Sequence, residues 1–205
     1  MSFLQRFTRR DLGFAVLTGL ITGVIGWRIF EFLKTPEFYN IPWSLLIVVV
    51  PVLWILGVLL GYLLGQWLDF FNQFGKFAAI GFTNFAVTAG VLNILLSITN
   101  YASGIGYSVI SSISFLVGVI SSYIWNKYWA FRSRNNEGGA GEFAKFFAVT
   151  VIAFIVNVII ASLVVNYIHP VAGMNAHQWA NIGTVAGSAI GLIFSFVGFK
   201  LAVFR

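Results

Sequence analysis

The chain has 205 residues, of which 59% are hydrophobic and 9% charged. A water-soluble domain carries about 25% charged residues, so this composition excludes an ordinary soluble surface and makes the number of apolar spans the first question. The formal charge of +6, twelve Lys and Arg against six Asp and Glu, reads in a membrane chain as topogenic charge and attraction to anionic headgroups, not as nucleic-acid binding. The absence of cysteine excludes disulfides, thiolate nucleophiles and Cys-ligated metals, and leaves the compartment open.

The first segment, MSFLQRFTRRDLGFAVLTGLITGVIGWRIFEFL, opens basic and then apolar, as a signal peptide does. Its apolar run is too long, no small-residue cleavage site follows, and Arg28 and Glu31 interrupt its end. These features predict an uncleaved first helix over 12–33. Arg28 and Glu31 are spaced to pair, and Arg28 lies about 24 Å along that helix, close to the outer interface. Two readings stay open for the pair: a snorkelling salt bridge, or a phosphate contact on the outer side.

Further spans are predicted at 43–67, 77–99, 106–129, 146–168 and 180–203, giving an all-α membrane protein of six transmembrane helices. Of the twelve basic residues, all but Arg28 and Lys34 fall on one side, which includes Arg6, Arg9, Arg10, Lys76, Lys127, Arg132, Arg134, Lys145, Lys200 and Arg205. That side is expected to be cytoplasmic, with both termini inside a cytoplasmic or inner membrane. The hydrophilic stretch RSRNNEGGAGE at 132–142 suits a cytoplasmic linker, and no other segment has room for a soluble domain. Trp27, Trp43, Trp125, Trp129 and Trp179 stand near span ends, where indoles favour the interface.

An internal repeat is visible. FGKFAAIGFTNF at 74–85 aligns with FAKFFAVTVIAF at 143–154, and Gly118, Ile120, Ser122, Lys127, Phe131 and Arg132 align with Gly191, Ile193, Ser195, Lys200, Phe204 and Arg205. Each unit is a two-helix hairpin that starts at a cytoplasmic Lys-Phe and returns to a cytoplasmic Lys-x₃-Phe-Arg. The two are therefore parallel repeats, expected to be related by an axis along the membrane normal. An N-terminal hairpin, 1–70, precedes the duplicated pair, 74–205. Small residues recur every fourth position at Gly57, Gly61 and Gly65, at Ser114, Gly118, Ser122 and Asn126, and at Gly183, Gly187, Gly191 and Ser195. They point to close helix packing or a dimer before any ligand.

These duplicated segments carry a resemblance. KFAAIGFTNF followed by SYIWNKYWAFR, repeated as KFFAVTVIAF and SFVGFKLAVFR, resembles the GtrA-like family of polytopic membrane proteins. Gly81, Thr83 and Asn84 fill the family's small polar positions in the first helix of the pair, and Asn126, Lys127, Trp129 and Phe131 fill its signature in the second. The second hairpin departs from the pattern, with Phe199 for the signature Asn and Ala202 for the Trp. The resemblance implies movement of a polyprenyl-phosphate-linked monosaccharide across the membrane for cell-surface polysaccharide or teichoic-acid glycosylation, with no cofactor.

Such a substrate needs cations where its phosphate loads, polar groups within the bundle, and a lipid-open flank for the tail. Lys76, Lys127, Lys145, Arg132, Lys200 and Arg205 are expected to form a basic ring at the inner headgroup level, Lys127 foremost. Arg holds phosphate bidentately and Lys as a point charge; each also reads as positive-inside charge with a snorkelling stem. Asn84 and Thr88 share a helix face, and Asn157 is the repeat equivalent of Thr88. With Asn126, Trp129 and Glu31 they are candidates for lining a sugar cavity, or equally for interhelical hydrogen bonds of about 0.6 kcal/mol. Two other functions stay open: a non-transporting partner of a membrane glycosyltransferase, and a small multidrug-type exporter. Glu31 counts against the exporter, being close to the outer edge and beside Arg28. No carboxylate pair, metal cluster or nucleophile–base set is present, so catalysis is not expected. Four core helices make a thin wall for a transport path, so a homodimer is expected.

Overall fold

In lipid every backbone N–H and C=O must find a partner within the protein, and an apolar run achieves this by coiling into a helix. The computed structural model describes residues 7–37, 39, 41–101, 103–132, 139–171, 173 and 176–204, without the side chains of 176–178, 180, 181 and 184. Among these residues six helices are long and apolar enough to cross a membrane, and there is no strand. Helix α1 spans Arg9–Phe32. Helix α2 spans Trp43–Leu64, its first turn a 3₁₀ turn. Helix α3 spans Phe70–Thr99 and stops at Asn100, whose left-handed φ of 57° breaks the helix. Helix α4 spans Gly104–Trp125, α5 spans Ala140–Tyr167 and α6 spans Ala176–Gly198.

All the helices but α2 start earlier than hydropathy alone predicts. Helix α1 begins at Arg9 instead of 12, and α3 at Phe70 instead of 77. Thr8 caps α1 in a reciprocal box with Asp11: the Thr8 hydroxyl accepts from the Asp11 N–H, and the Asp11 carboxylate accepts from the Thr8 N–H. Asp11 and Lys76 are thereby drawn inside helices, where both are buried. Arg28 and Glu31 are thus not the only charges within the spans.

The chain divides into two compact units, Met1–Arg132 and Ser133–Arg205. In the first, α1 packs on α2 and α3, and α3 packs on α2 and α4. The N-terminal hairpin therefore shares a unit with the first repeat, a grouping by packing where 1–70 and 74–205 is a grouping by duplication. Small residues make the close approaches. A methyl group built on Gly19 would lie 2.5 Å from the Pro51 Cα, and one on Gly61 3.1 Å from the Gly75 Cα. In the second unit α5 and α6 form one hairpin. There Gly187 sits against Ala161, and Gly191 against Ala153 and Asn157.

The duplication reappears as geometry. Gly118 faces Asn84 and Thr88 in the first unit, and its equivalent Gly191 faces the equivalents Ala153 and Asn157 in the second. Both second helices end in a π turn, Asn126–Ala130 and Phe199–Val203. Each is closed by an i to i+5 bond: the Phe131 N–H donates to the Asn126 carbonyl at 3.0 Å, and the Phe204 N–H to the Phe199 carbonyl at 2.9 Å. The hairpins differ at the first residue of that turn. Phe199 stacks on Phe146 at 4.3 Å, whereas Asn126 is buried, its amide donates to the Ser122 carbonyl, and its Oδ1 has no partner.

Candidate functional site

One end of the first unit gathers the start of α1, the end of α2, the start of α3 and the π turn after α4. Asp11, wholly buried, is the centre of this cluster. Lys76 Nζ lies 2.8 Å from its Oδ1, and Arg132 donates through one terminal nitrogen to both oxygens, at 2.8 and 2.9 Å. The Tyr62 hydroxyl donates to Oδ2 at 2.9 Å and the Trp129 indole N–H to Oδ1 at 3.3 Å. The Thr8 hydroxyl and N–H donate to Oδ2 at 2.8 and 3.2 Å. Six donor groups thus converge on two oxygens. A carboxylate offers about four lone-pair sites, so the donors outnumber what their acceptor can take.

Aromatic rings wall the cluster. Lys76 lies over the Tyr62 ring at 5.0 Å, and Phe14 stacks on Trp129 at 5.7 Å. Arg10 ties α1 to the π turn by donating to the Tyr128 carbonyl at 2.7 Å. Burial differs between the two cations: the Lys76 side chain is 5% exposed and the Arg132 side chain 41%. Arg132 is the face the cluster presents outward. Two cations meet one carboxylate here, so the cluster keeps an excess of positive charge.

The members of the expected basic ring differ in burial. Lys76 is a buried ion-pair partner, because the carboxylate beneath it makes burial cheaper than snorkelling. Lys127 is also buried; its ammonium donates to the Tyr123 hydroxyl at 3.2 Å and lies over that ring. In the second unit Lys145 and Lys200 are exposed. Arg205 lies outside the described residues, as do Arg6 and Arg134. Trp129 is wholly buried and donates to Asp11.

The expected polar lining is distributed as follows. Asn84 accepts from the Ser121 hydroxyl at 3.0 Å, Thr88 faces Gly118, and Asn157 donates to Ser188 at 3.2 Å within the second unit. A polar file that the sequence reading missed runs along α1. Thr18 is wholly buried, and Thr22 and Trp54 both donate to the Thr83 hydroxyl, at 3.1 and 3.2 Å. Beyond it, between the far halves of α1 and α3, is a groove of about 570 Å³. Val24, Ile25, Ile29, Phe32 and Ile94 form its apolar walls, with Arg28, Glu31, Asn93 and Ser97 as its polar groups. Arg28 and Glu31 form the expected i,i+3 salt bridge at 2.9 Å, with Arg28 over the Trp27 ring.

Asp11, Tyr62, Thr18, Thr22 and Trp54 all belong to the N-terminal hairpin, in which the sequence had singled out Arg28 and Glu31 as candidates. One signal pointed to Asp11: the Thr8-Arg-Arg-Asp11 spacing of a helix cap, which places a carboxylate at the mouth of an apolar run.

Six apolar helices, a duplicated hairpin and polar groups packed between helices define a multi-pass α-helical membrane protein. The model of the GtrA/DPMS transmembrane domain matches residues 76–204, more than half of the chain. The chain belongs to the GtrA family, whose members are linked to lipid-linked sugar processes and are generally non-catalytic. No curated protein and no solved structure gives a significant match. The matched segment includes Lys76, Trp129 and Arg132; Asp11 and Tyr62 lie before it.

Proposed function

We propose that this chain moves a polyprenyl-phosphate-linked monosaccharide from the cytoplasmic to the outer leaflet of the cytoplasmic membrane, for glycosylation of a cell-surface polysaccharide or teichoic acid. The observation that carries this reading is the convergence of Lys76 and Arg132, two cations from the family segment, in a donor-rich cluster at one end of the bundle. A phosphate needs such a seat, because charge-assisted hydrogen bonds to phosphate oxygens are about twice as strong as neutral ones. Lys127, Lys145, Lys200 and Arg205 are the further loading-side contacts in this scheme.

Other features support the same reading. The threonine file along α1 offers hydroxyls inside the bundle, and Asn126 keeps a buried acceptor without a partner, suited to a sugar hydroxyl. Asn84, Thr88, Asn157 and Trp129 complete the proposed sugar contacts. The groove carrying Arg28 and Glu31 couples apolar walls to one guanidinium, the combination that a prenyl phosphate leaving on the far side would use. A homodimer is the proposed assembly, since it would close the path that four core helices wall thinly.

Reconstitution into liposomes with a labelled polyprenyl-phosphate sugar tests the proposal. Outer-leaflet exposure should run well above the rate of empty vesicles and fall in an Arg132→Gln variant. A rate equal to that of empty vesicles refutes transport. Co-purification of a membrane glycosyltransferase would then favour the non-transporting partner.

A further inference from the structure

The family-matched segment supplies the cations, and a hairpin outside that segment supplies the anion that neutralises them. Lys76, Arg132 and the Trp129 indole all come from within 76–204. Asp11, which they hold, comes from α1, and Thr8, which caps that helix, stands just before it. Without the N-terminal hairpin, these three donors would face an empty anion seat. With it, the seat is filled by a carboxylate that reaches in from the first turn of a helix.

The geometry points to Asp11 as a resident counter-ion that occupies the phosphate seat. We propose that an anionic lipid headgroup, a phosphate ester on a prenyl chain, binds by displacing it from Lys76 and Arg132. This rests on the transport reading for the identity of the lipid.

Three features argue for exchange. A carboxylate and a phosphodiester each carry one negative charge spread over two oxygens, so replacing one by the other leaves the charge of the cluster unchanged. The seat also keeps its donors once Asp11 has left: Lys76, Arg132, the Tyr62 hydroxyl and the Trp129 indole N–H all come from outside α1. Finally, Asp11 does not lose every partner on leaving. Its capping bond with the Thr8 N–H is local to α1, and a carboxylate in the first turn is stabilised by the helix dipole. The approach is from the Arg132 side, which is exposed while Lys76 is not. Arg132 itself sits at a left-handed φ of 49°, a backbone state uncommon for residues other than glycine, held where its guanidinium meets the carboxylate.

The consequence is a competition built into the chain. Asp11 lowers the affinity of the seat for the headgroup, which keeps the lipid from being held too tightly to leave. Weakening the hold on Asp11 should therefore tighten lipid binding, the reverse of what loss of a binding residue does.

The test is binding of radiolabelled farnesyl phosphate to the purified full chain in detergent. Asp11→Asn should bind at least about tenfold tighter than wild type, since about 1.4 kcal/mol of competition is enough for that factor. Tyr62→Phe removes one hydrogen bond from Asp11 and leaves both cations in place, so it should bind about threefold to tenfold tighter. It provides the measurement if Asp11→Asn fails to fold. Adding Arg132→Gln to either variant should abolish the gain. Unlabelled farnesol should not compete, and inorganic phosphate should compete only at far higher concentration. If both variants bind no tighter than wild type, Asp11 is a structural tie or a positioning residue for Arg132, and the exchange is wrong. Competition by farnesol equal to that by farnesyl phosphate would place the gain in the tail, and inorganic phosphate competing equally would make the ligand a free phosphate; either result overturns the proposal. A gain in affinity without any lipid movement in liposomes would refute transport and leave the exchange standing. Lipid movement by wild type without a gain would refute the exchange alone.

Discussion

Two glycines of the same helix should respond in opposite ways to the same substitution. Gly19 and Gly13 both lie in α1, so replacing either with Ala changes helix propensity by the same amount, about 0.8–1.0 kcal/mol in favour of Ala. Their surroundings differ. A methyl group on Gly13 meets nothing within 4 Å, whereas one on Gly19 would lie 2.5 Å from the Pro51 Cα and 2.9 Å from the Pro51 nitrogen. Those are backbone atoms, so no side-chain rotation relieves the clash and the two helices must part locally by about 1 Å. A gap of that size forfeits about a quarter to a half of the dispersion attraction along the lining, and overpacking a tight site costs about 1–3 kcal/mol. The propensity term cancels between the variants, leaving the steric one. Gly13→Ala should be neutral to stabilising, and Gly19→Ala should fall about 1–3 kcal/mol below it. Reversible unfolding in mixed detergent micelles measures both. If the two variants agree within about 0.5 kcal/mol, the α1–α2 contact is not as close as the structure shows and the argument for small-residue packing there fails.

The buried ion cluster makes a further prediction. Asp11→Ala should destabilise by about 3–5 kcal/mol, because it strands Lys76 without its partner, and Asp11→Ala with Lys76→Met should recover part of that loss in the same unfolding assay. Arg28→Gln should cost less than about 1 kcal/mol, since both members of the Arg28–Glu31 pair are largely exposed; a larger loss in that assay would contradict the weak coupling argued here. Phe199→Asn puts the first hairpin's signature residue into the second. It should destabilise by about 2–4 kcal/mol through loss of the ring stack on Phe146 and the space a smaller side chain leaves there, again read from the unfolding midpoint.

The six spans and the duplication were legible because both are written in local pattern. Apolar runs of membrane length need no knowledge of neighbours, and the repeated Gly and Phe positions survive as contacts of Gly118 and Gly191 and as matching π turns closed at Phe131 and Phe204. The basic residues were legible too, but not their state. A Lys at the start of an apolar run reads the same whether it snorkels to the headgroups or pairs inside the bundle, since both need a position near the helix end. What decides between them for Lys76 is Asp11, a residue far away in the chain. Counting charge along the sequence treats that carboxylate only as one fewer net positive charge on the more basic side. Its burial is tolerable only with cations against it: an isolated charge at that depth would cost several kcal/mol, and Lys76 and Arg132 stand at 2.8 Å. The dependence runs the other way as well. Lys76 could not stay buried without Asp11, so the end of the family segment that holds it takes the form described here only because the N-terminal hairpin is packed against it.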